Sequence, residues 1–291
     1  MGQAIMIQGT ASGAGKSTLV TGLCRLLRQE GYSVAPFKAQ NMSSNAYLFP
    51  DGKQMAKSQA IAAFACGLEP AVDMNPVLLK PQTVSGAEVI INGGSVGYLK
   101  DFEYNALKRR LADEIFAAYQ RLLQQHDFVI VEGAGSPVEL NLKENDVVNM
   151  GFAKKANCPV MLTADISRGG IFASVYGTVM LLEEEERELI KGMIVNKFCG
   201  QKKYFQSGVD ILEKLTRIPV IGIVPYAQID IEDEDSLAEG GRLKTETGIK
   251  KKLGGQMSYR EYLDIQFNKL ADVMRESLDL SQILKLAGGQ A

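Results

Sequence analysis

A glycine-rich segment near the start of the chain contains the residues best suited to bind a phosphate group. The segment QGTASGAGKST (residues 8–18) follows an apolar run and opens a helical pattern. The backbone N–H groups of such a loop and the N-terminus of the next helix point at one place, and both favour an anion. Lys16 would reach the β- and γ-phosphates of a nucleotide, and the Ser17 hydroxyl would bind Mg²⁺. The spacing predicts a phosphate-binding loop (P-loop). The usual pattern has its first glycine at position 10, but here that residue is Thr10 and the glycine is one position earlier, at Gly9. The alternative is an ordinary strand-to-helix turn.

Charged and amide side chains also follow the other predicted strands directly. Because ligands bind at the carboxyl ends of the strands in open α/β sheets, we expect these side chains to converge on one rim. Glu132 would bind Mg²⁺ or its water shell, and Arg168 would bind a carboxylate or a phosphate. Lys38 would contact a second phosphate or the substrate, and a solvated side chain is the alternative at each of these three positions. The complete set is Lys16, Ser17, Lys38, Asn41, Glu132, Asp165, Arg168 and Asn196.

The elements that would position these residues alternate between strands and helices over residues 1–226. This order predicts an α/β fold with a doubly wound, mostly parallel sheet. Segments 38–45 and 73–81 are predicted to be loops, the second because two prolines bracket it. The predicted strands are 4–7, 32–37, 89–91, 128–131, 159–163, 193–195 and 220–224, and the predicted helices are 16–30, 55–66, 101–125, 171–184 and 203–216.

The composition is that of a globular protein with no surface for nucleic acid. The 291 residues are 46% hydrophobic and carry a net charge of −2, which allows a sizeable core and gives no basic surface. No apolar run is long enough to span a bilayer, and no signal peptide is visible. The four cysteines, Cys24, Cys66, Cys158 and Cys199, form no CxxC pair and are expected to be reduced. We therefore expect a cytoplasmic protein without nucleic-acid or membrane partners.

The sequence divides into three predicted parts. Residues 1–226 form the core domain, and residues 227–257, with an acidic stretch and a Gly/Lys-rich stretch, form a solvated linker. Residues 258–291 form a helical tail, in which Leu263, Phe267 and Leu270 recur at helical spacing. This apolar stripe predicts that the tail docks on another surface.

Taken together, the loops resemble the synthetase part of the cobyric acid synthase family, glutamine-dependent amidotransferases of cobalamin synthesis. Cobyrinic acid a,c-diamide synthase and dethiobiotin synthetase are relatives of this family. The resemblance covers most of residues 1–226 in order, which is far more specific than a single P-loop. The segments that carry it are QGTASGAGKST (8–18), APFKAQNMS (35–43), VDMNPVLLKP (72–81), DFVIVEGAGSP (127–137), NMGFA (149–153), ADISRGGIFAS (164–174) and IVNKF (194–198).

The resemblance implies a P-loop NTPase fold of the dethiobiotin synthetase-like type and an ATP-dependent amide ligase with ATP and Mg²⁺ as cofactors. ATP would phosphorylate a carboxylate of a corrinoid substrate, adenosylcobyrinic acid a,c-diamide, and ammonia would displace the phosphate to give the amide. The implied catalytic residues are Lys16, Lys38 and Glu132, with Ser17 and Glu132 on the metal. The implied nucleotide-binding residues are Thr10, Gly13, Ala14, Gly15, Lys16, Ser17, Thr18, Asn196 and Pro225. The implied substrate-binding residues are Asn41, Ser43, Lys80, Asp165 and Arg168.

The sequence departs from the family pattern at several positions. Gly13 replaces the usual acidic residue, Ala39 replaces a proline, and Gln54 replaces a common glutamate, which puts a second Mg²⁺ ligand in doubt. The family's glutaminase domain uses a Cys–His–Glu triad, but the only histidine here is His126, within the synthetase part. We therefore expect no glutamine hydrolysis, with ammonia taken from solution or from a separate glutaminase subunit. A homodimer is an allowed assembly.

Three other interpretations of the same residues stay open at this point. A dethiobiotin synthetase-like carboxylase would share the P-loop and the VEGAG segment. A partitioning or metal-insertion NTPase would work as a switch, although Ala11 stands where such proteins carry a signature lysine. A degenerate paralogue would bind a nucleotide or a corrinoid without catalysis.

Overall fold

The computed structural model describes residues 2–83, 86–232 and 246–288. The strands are β1 (Gln3–Gly9), β2 (Val34–Phe37), β3 (Gln40–Met42), β4 (Ala46–Leu48), β5 (Gln54–Ala56), β6 (Val77–Thr83), β7 (Gly86–Ile91), β8 (Gly94–Lys100), β9 (Phe128–Glu132), β10 (Val160–Asp165), β11 (Ile190–Phe198) and β12 (Val220–Pro225). The helices are α1 (Lys16–Gln29), α2 (Lys57–Ala65), α3 (Asp101–Gln125), α4 (Met150–Ala156), α5 (Ile171–Leu181), α6 (Glu184–Arg187), α7 (Gln206–Thr216), α8 (Glu246–Leu253), α9 (Tyr259–Ser277) and α10 (Leu280–Leu286). Among these helices, none combines the length and the apolar character needed to cross a bilayer.

The central sheet has six strands, all parallel, in the order β12-β11-β10-β1-β9-β2. This confirms the predicted α/β fold with a doubly wound sheet. The chain moves to one side of β1 for β2 and β9 and to the other side for β10, β11 and β12. Ligands bind where the strand order reverses in this way, so the expected crevice opens at the carboxyl end of β1, where the P-loop begins.

The two faces of the central sheet are covered by different helices. Met6 belongs to a hydrophobic core shared with α3, α4, α5 and α7, whereas Ile5 and Ile7 belong to a core shared with α1, α2, α9 and α10. Successive side chains of a strand point to opposite faces, and the strands are apolar on both, as in a parallel sheet covered on both sides. The core therefore fixes β1 in the middle of the molecule, with its carboxyl end at the rim.

A second, four-stranded sheet replaces the two loops predicted for residues 38–45 and 73–81, and those predictions are wrong. Its order is β3-β6-β7-β8, with β3 and β6 parallel and the other pairs antiparallel. Pro81 is tolerated within β6 because it lies beyond Leu79, the last residue that pairs with β3, and next to a register shift. Strand β8 was missed, although Asn92 and Gly93 form a two-residue turn with φ angles of 48° and 84°, a strong hairpin signal.

The tail packs on the core of the same chain. Helix α9 lies so close to α1 that a Cβ on Gly22 would be 2.8 Å from Met274 Cγ and 3.0 Å from Leu270 Cγ. Arg25 Nε on α1 also donates to Asn268 Oδ1 at 2.9 Å. Helix α8 lies within the predicted linker, and residues 233–245 of that linker are outside the described residues. The division into core domain, linker and tail stays a prediction.

Candidate functional site

The P-loop joins the end of β1 to the start of α1 and encloses the Lys16 ammonium. Gly13 and Gly15 have φ angles of 73° and 93°, which glycine adopts without the steric cost of a Cβ. The Lys16 Nζ donates to the carbonyl oxygens of Ala11 at 3.3 Å and of Gly135 at 2.8 Å. Lys16 therefore connects the P-loop to the loop after β9, and its charge lies where phosphates would enter.

Two residues at the end of β11 support the P-loop backbone. Asn196 Nδ2 donates to the carbonyl oxygen of Ala14 at 2.8 Å, and Lys197 Nζ donates to that of Gly13 at 2.6 Å. These two hydrogen bonds fix the backbone of the loop, which lies at the N-terminus of α1, a position that favours an anion. Asn196, which the resemblance assigned to the nucleotide, here holds the loop that would bind its phosphates.

Asp165, at the end of β10, holds Lys197 in place. Its Oδ2 lies 2.8 Å from Lys197 Nζ, and its Oδ1 accepts from the N–H and the hydroxyl of Ser167. Burial by itself would raise the pKa of Asp165, but the hydrogen bonds from Lys197 and Ser167 outweigh it and hold that pKa below its usual value. Asp165 is therefore charged at neutral pH and acts on the P-loop through Lys197.

Glu132, the last residue of β9, is the centre of the site. It is 1% exposed, and a carboxylate so buried needs hydrogen bonds and a countercharge. Its Oε1 accepts from Ser17 Oγ at 2.8 Å and from Lys38 Nζ at 2.7 Å, and its Oε2 accepts from Gln59 Nε2 at 2.9 Å. The structure thus brings together three residues singled out in the sequence with Gln59, which the sequence analysis missed.

Asn75 positions Lys38 and Gln59 relative to each other. Its Nδ2 donates to the carbonyl oxygen of Lys38 at 2.9 Å, and its Oδ1 accepts from the N–H of Ala56 at 2.9 Å. Ala56 is the residue before α2, the helix that carries Gln59. The fully enclosed amide of Asn75 therefore ties the end of β2 to the start of α2, so that both side chains reach Glu132.

The loop after β9 is held by Asn149. The Oδ1 of Asn149 accepts from the N–H of Ala134 at 2.9 Å, and its Nδ2 donates to the carbonyl oxygens of Ala134 at 2.8 Å and Ser136 at 3.1 Å. A Cβ on Gly133 would lie 2.2 Å from Gln8 Oε1 and 2.8 Å from Asn149 Oδ1, so this position needs glycine. Asn149 opens the NMGFA segment, to which the sequence analysis gave no role.

The oxygen atoms around Glu132 fit a magnesium ion. Mg²⁺ takes oxygen ligands at about 2.1 Å in octahedral geometry, which puts neighbouring ligands about 3 Å apart; Ser17 Oγ and Glu132 Oε1 are separated by 2.8 Å. The buried Oε1 of Gln59 has no hydrogen-bond partner among the described residues, a situation that costs about 1–3 kcal/mol. Among the described residues, no three or more His, Cys, Asp or Glu side chains are placed together to hold a metal ion, so the candidate protein ligands are Ser17 and Glu132.

Gln54 and Lys80 lie in a different group of residues. Gln54 Oε1, in β5, accepts from Lys80 Nζ at 3.1 Å, and Lys80 Nζ is 3.6 Å from Glu88 Oε2. Gln54, which stands where the family commonly has a glutamate, thus forms a hydrogen bond with Lys80 of the second sheet. The role of Lys80 towards a substrate stays a prediction.

The remaining candidate residues lie at the ends of the predicted strands. Asn41 is buried in β3, and its Nδ2 has no hydrogen-bond partner among the described residues. Ser43 is buried just after β3 and accepts from the N–H of Asn45 at 3.0 Å. Arg168 is exposed between β10 and α5. The others are Thr10, whose N–H donates to the carbonyl oxygen of Thr163, exposed Thr18 on the first turn of α1, and Pro225 at the end of β12.

His126 lies away from this cluster. It ends α3, and its Nδ1 is 2.8 Å from Ser33 Oγ. Burial lowers the pKa of His126, partly offset by the charge of Asp127. The residue precedes β9, whose opposite end carries Glu132, which agrees with a helix-terminal role.

Comparison with known proteins points to one family. The profile of the CbiA family, described as the CobQ/CobB/MinD/ParA nucleotide binding domain, matches residues 5–237. A cobyric acid synthase of Lachnoclostridium phytofermentans is 52% identical over 249 residues, which cover 84% of this chain and 48% of that protein. A cobyric acid synthase of Ruminiclostridium cellulolyticum is 50% identical over 249 residues, covering 86% of this chain and 48% of that protein. Among solved structures, the septum site-determining protein MinD of Pyrococcus horikoshii OT3, complexed with Mg-ADP, has a TM-score of 0.47 at 13% identity and covers 97% of this chain and 98% of that chain.

The parallel sheet and the P-loop define an α/β P-loop nucleotide-binding protein, and the chain belongs to the CbiA family of nucleotide-binding domains. Within that family it is similar to cobyric acid synthases, which confirms the resemblance noted from the loops. The chain spans about half the length of the curated relatives it matches. The likeness to MinD is too distant to bear on function.

Proposed function

We propose that the chain catalyses the ATP-dependent amidation of a corrinoid carboxylate, adenosylcobyrinic acid a,c-diamide on the way to cobyric acid. The observation that carries the proposal is the second lysine of the site: Lys38 is buried 2.7 Å from Glu132 Oε1 and shares that oxygen with Ser17. A nucleotide-binding loop needs one lysine for the β- and γ-phosphates. A second buried cation close to the P-loop serine suits the transfer of a phosphoryl group to another anion.

In the proposed reaction, a substrate carboxylate oxygen attacks the γ-phosphorus of ATP, the bond to ADP breaks, and an acyl phosphate forms. Ammonia then attacks the acyl carbon, the carbon–oxygen bond to phosphate breaks, and the amide, inorganic phosphate and a proton are released. Phosphoryl transfer is accelerated mainly by positioning and by charge neutralisation. Lys16 and Lys38 would supply that neutralisation, and Glu132 would orient Ser17 and Lys38. Ser17 and Glu132 would hold Mg²⁺, which would supply positive charge to stabilise the negative charge of the transferred phosphoryl group.

The proposed substrate contacts come from the second sheet and from the segments that follow β3 and β10. The buried Nδ2 of Asn41 is a donor without a partner among the described residues, which suits a substrate carboxylate or amide oxygen. Exposed Arg168 would form charge-assisted hydrogen bonds with another peripheral carboxylate. Ser43, Lys80 and Asp165 are the remaining proposed substrate contacts. The relatives named cobyric acid synthase support a corrinoid as the substrate class.

We further propose that the nitrogen donor is ammonia, free or from a separate glutaminase subunit. A glutaminase triad needs a histidine beside its nucleophile. The only histidine of this chain contacts Ser33. Ammonium chloride should therefore support amidation by the pure protein much better than glutamine does.

The test follows ADP release and corrinoid mass with Mg²⁺ and ammonium, with and without adenosylcobyrinic acid a,c-diamide. Corrinoid-dependent ADP release, together with the small mass decrease caused by exchange of OH for NH₂, is the expected result. Lys16→Met should abolish both signals, whereas Lys53→Met, a change at an exposed lysine, should leave them unchanged. Nucleotide binding without any corrinoid stimulation would contradict the proposal and favour a nucleotide switch.

A further inference from the structure

Gln59 is the member of the Glu132 cluster that carries a side-chain amide. It lies on the first turn of α2, is 0% exposed and donates through Nε2 to Glu132 Oε2 at 2.9 Å. The hydrogen bond to Glu132 is the contact that the structure defines for its side-chain amide. Its relation to Glu132 therefore indicates what it does.

The chemistry of the pair fixes which way the Gln59 amide faces. An ionised carboxylate only accepts hydrogen bonds, so the donor nitrogen of the amide must be the atom that points at Glu132. The oxygen of the same amide is then directed elsewhere, within a few ångströms of the carboxylate. That Oε1 is buried and has no hydrogen-bond partner among the described residues, and native structures leave few polar atoms in this state.

Two donors to Glu132, Ser17 and Lys38, also have tasks that compete with this carboxylate. On binding of a metal nucleotide, the Ser17 hydroxyl would turn to the ion and the Lys38 ammonium to a phosphate. Gln59 is fully enclosed and can keep its bond to Oε2 throughout. Gln59 would hold the Glu132 carboxylate in one orientation while the contacts at Glu132 Oε1 are exchanged. Hydrogen bonds to metal-binding side chains have the same orienting role in other metal sites.

We propose that Gln59 belongs to the metal site: its Nε2 positions Glu132, and its Oε1 supplies a neutral oxygen to the Mg²⁺ of the nucleotide or to that ion's water shell. Gln54, the position suggested by the family pattern, is bound to Lys80 and does not supply this oxygen. The proposal depends on the metal-nucleotide part of the proposed function and not on the corrinoid.

The test measures Mn²⁺ binding to the protein–ADP complex by electron paramagnetic resonance, with ADP affinity in the absence of metal measured separately. Gln59→Leu should weaken Mn²⁺ binding by about 10-fold or more, the usual size of an outer-ligand effect. Metal-free ADP affinity should stay within about 2-fold, because the P-loop contacts do not involve this side chain. Gln59→Asn, which keeps the amide but draws its oxygen back by one methylene group, should weaken Mn²⁺ binding in the same direction.

The matched control is Gln266→Leu, the same change at a buried amide on α9 that accepts from the N–H of Asp230. It should lower stability but leave Mn²⁺ binding unchanged. Unchanged Mn²⁺ affinity in Gln59→Leu, or equal losses of Mn²⁺ and metal-free ADP affinity, would overturn the proposal. If Gln59→Leu does not fold, an unchanged Mn²⁺ affinity in Gln59→Asn overturns it. Because no corrinoid is present, these outcomes are independent of whether amidation is found.

Discussion

Replacement of Lys38 by methionine is the perturbation whose cost follows most directly from the structure. The Lys38 and Glu132 side chains are 5% and 1% exposed, and their charged atoms are 2.7 Å apart. Methionine has nearly the same length as lysine but no charge. Lys38→Met therefore removes a buried cationic partner of the Glu132 carboxylate and leaves the carboxylate itself in place.

Removal of one partner from a buried ion pair typically costs about 3–5 kcal/mol, because the other charge is left without compensation. We expect a loss of that size in the free energy of unfolding for Lys38→Met, and a similar loss for Glu132→Gln. The double variant removes both charges, and neutral replacement of a buried pair is often nearly neutral. It should recover to within about 2 kcal/mol of the wild type, far less than the sum of the single losses.

The assay is urea unfolding at neutral pH without nucleotide, repeated at two salt concentrations. Buried pairs are screened little by salt, so the three differences should not depend on it. Lys53→Met removes the exposed ion pair with Asp51 and should cost less than about 1 kcal/mol. A loss below about 1 kcal/mol for Lys38→Met, or additive losses in the double variant, would refute the reasoning that this pair is buried and mutually dependent.

Three further outcomes are expected. Gly15→Ala places a Cβ at φ 93° within 2.2 Å of Asn196 Nδ2 and should weaken ADP binding about 10-fold or more. The control is Gly31→Ala, at φ 94° with no atom within 4 Å of the added Cβ, which should leave ADP binding unchanged. Equal ADP affinities of the two variants would contradict this expectation. Burial lowers the pKa of His126 from 6.5, so the unfolded chain binds a proton on this imidazole at a higher pH than the folded chain does. The free energy of unfolding should therefore fall as the pH drops through 6.5. In NMR the His126 imidazole signal should titrate below 6.5, and a midpoint above 6.5 would contradict this. Met274→Ala, at a residue that is 1% exposed, should lower the free energy of unfolding by about 2–5 kcal/mol. Met257→Ala, at a residue that is 38% exposed, should lower it little. If Met274→Ala had no effect on thermal or urea unfolding, α9 would not complete the core.

The central sheet could be predicted because its strands are continuous apolar runs separated by amphipathic helices. The second sheet could not be predicted in the same way. Strand β3 has three residues, and β6 contains a proline that is harmless only because β3 ends before it. The Asn92–Gly93 turn was the one local signal for β8, and it was interpreted as the end of a strand instead of the start of a hairpin.

The site was predictable as far as the strand ends define it. Ser17, Lys38 and Glu132 follow separate strands, and the rule that parallel strands present their carboxyl ends at one edge predicts that such residues meet. Gln59 and Asn75 follow no such rule, since one lies on a helix and the other in a connection. The role of Lys197 follows no such rule either, because its ion pair with Asp165 joins different strands.

The sequence by itself determined the α/β class, the P-loop with Lys16 and Ser17, and the family, because these depend on local periodicity and on contiguous motifs. Only the tertiary structure decided which side chains surround Glu132, because buried polar partners are selected by packing between elements far apart in the chain. Gln54 and Gln59 show the difference. They are five positions apart and have the same side chain, yet the strand places one against Lys80 and the helix places the other against the carboxylate at the mouth of the P-loop.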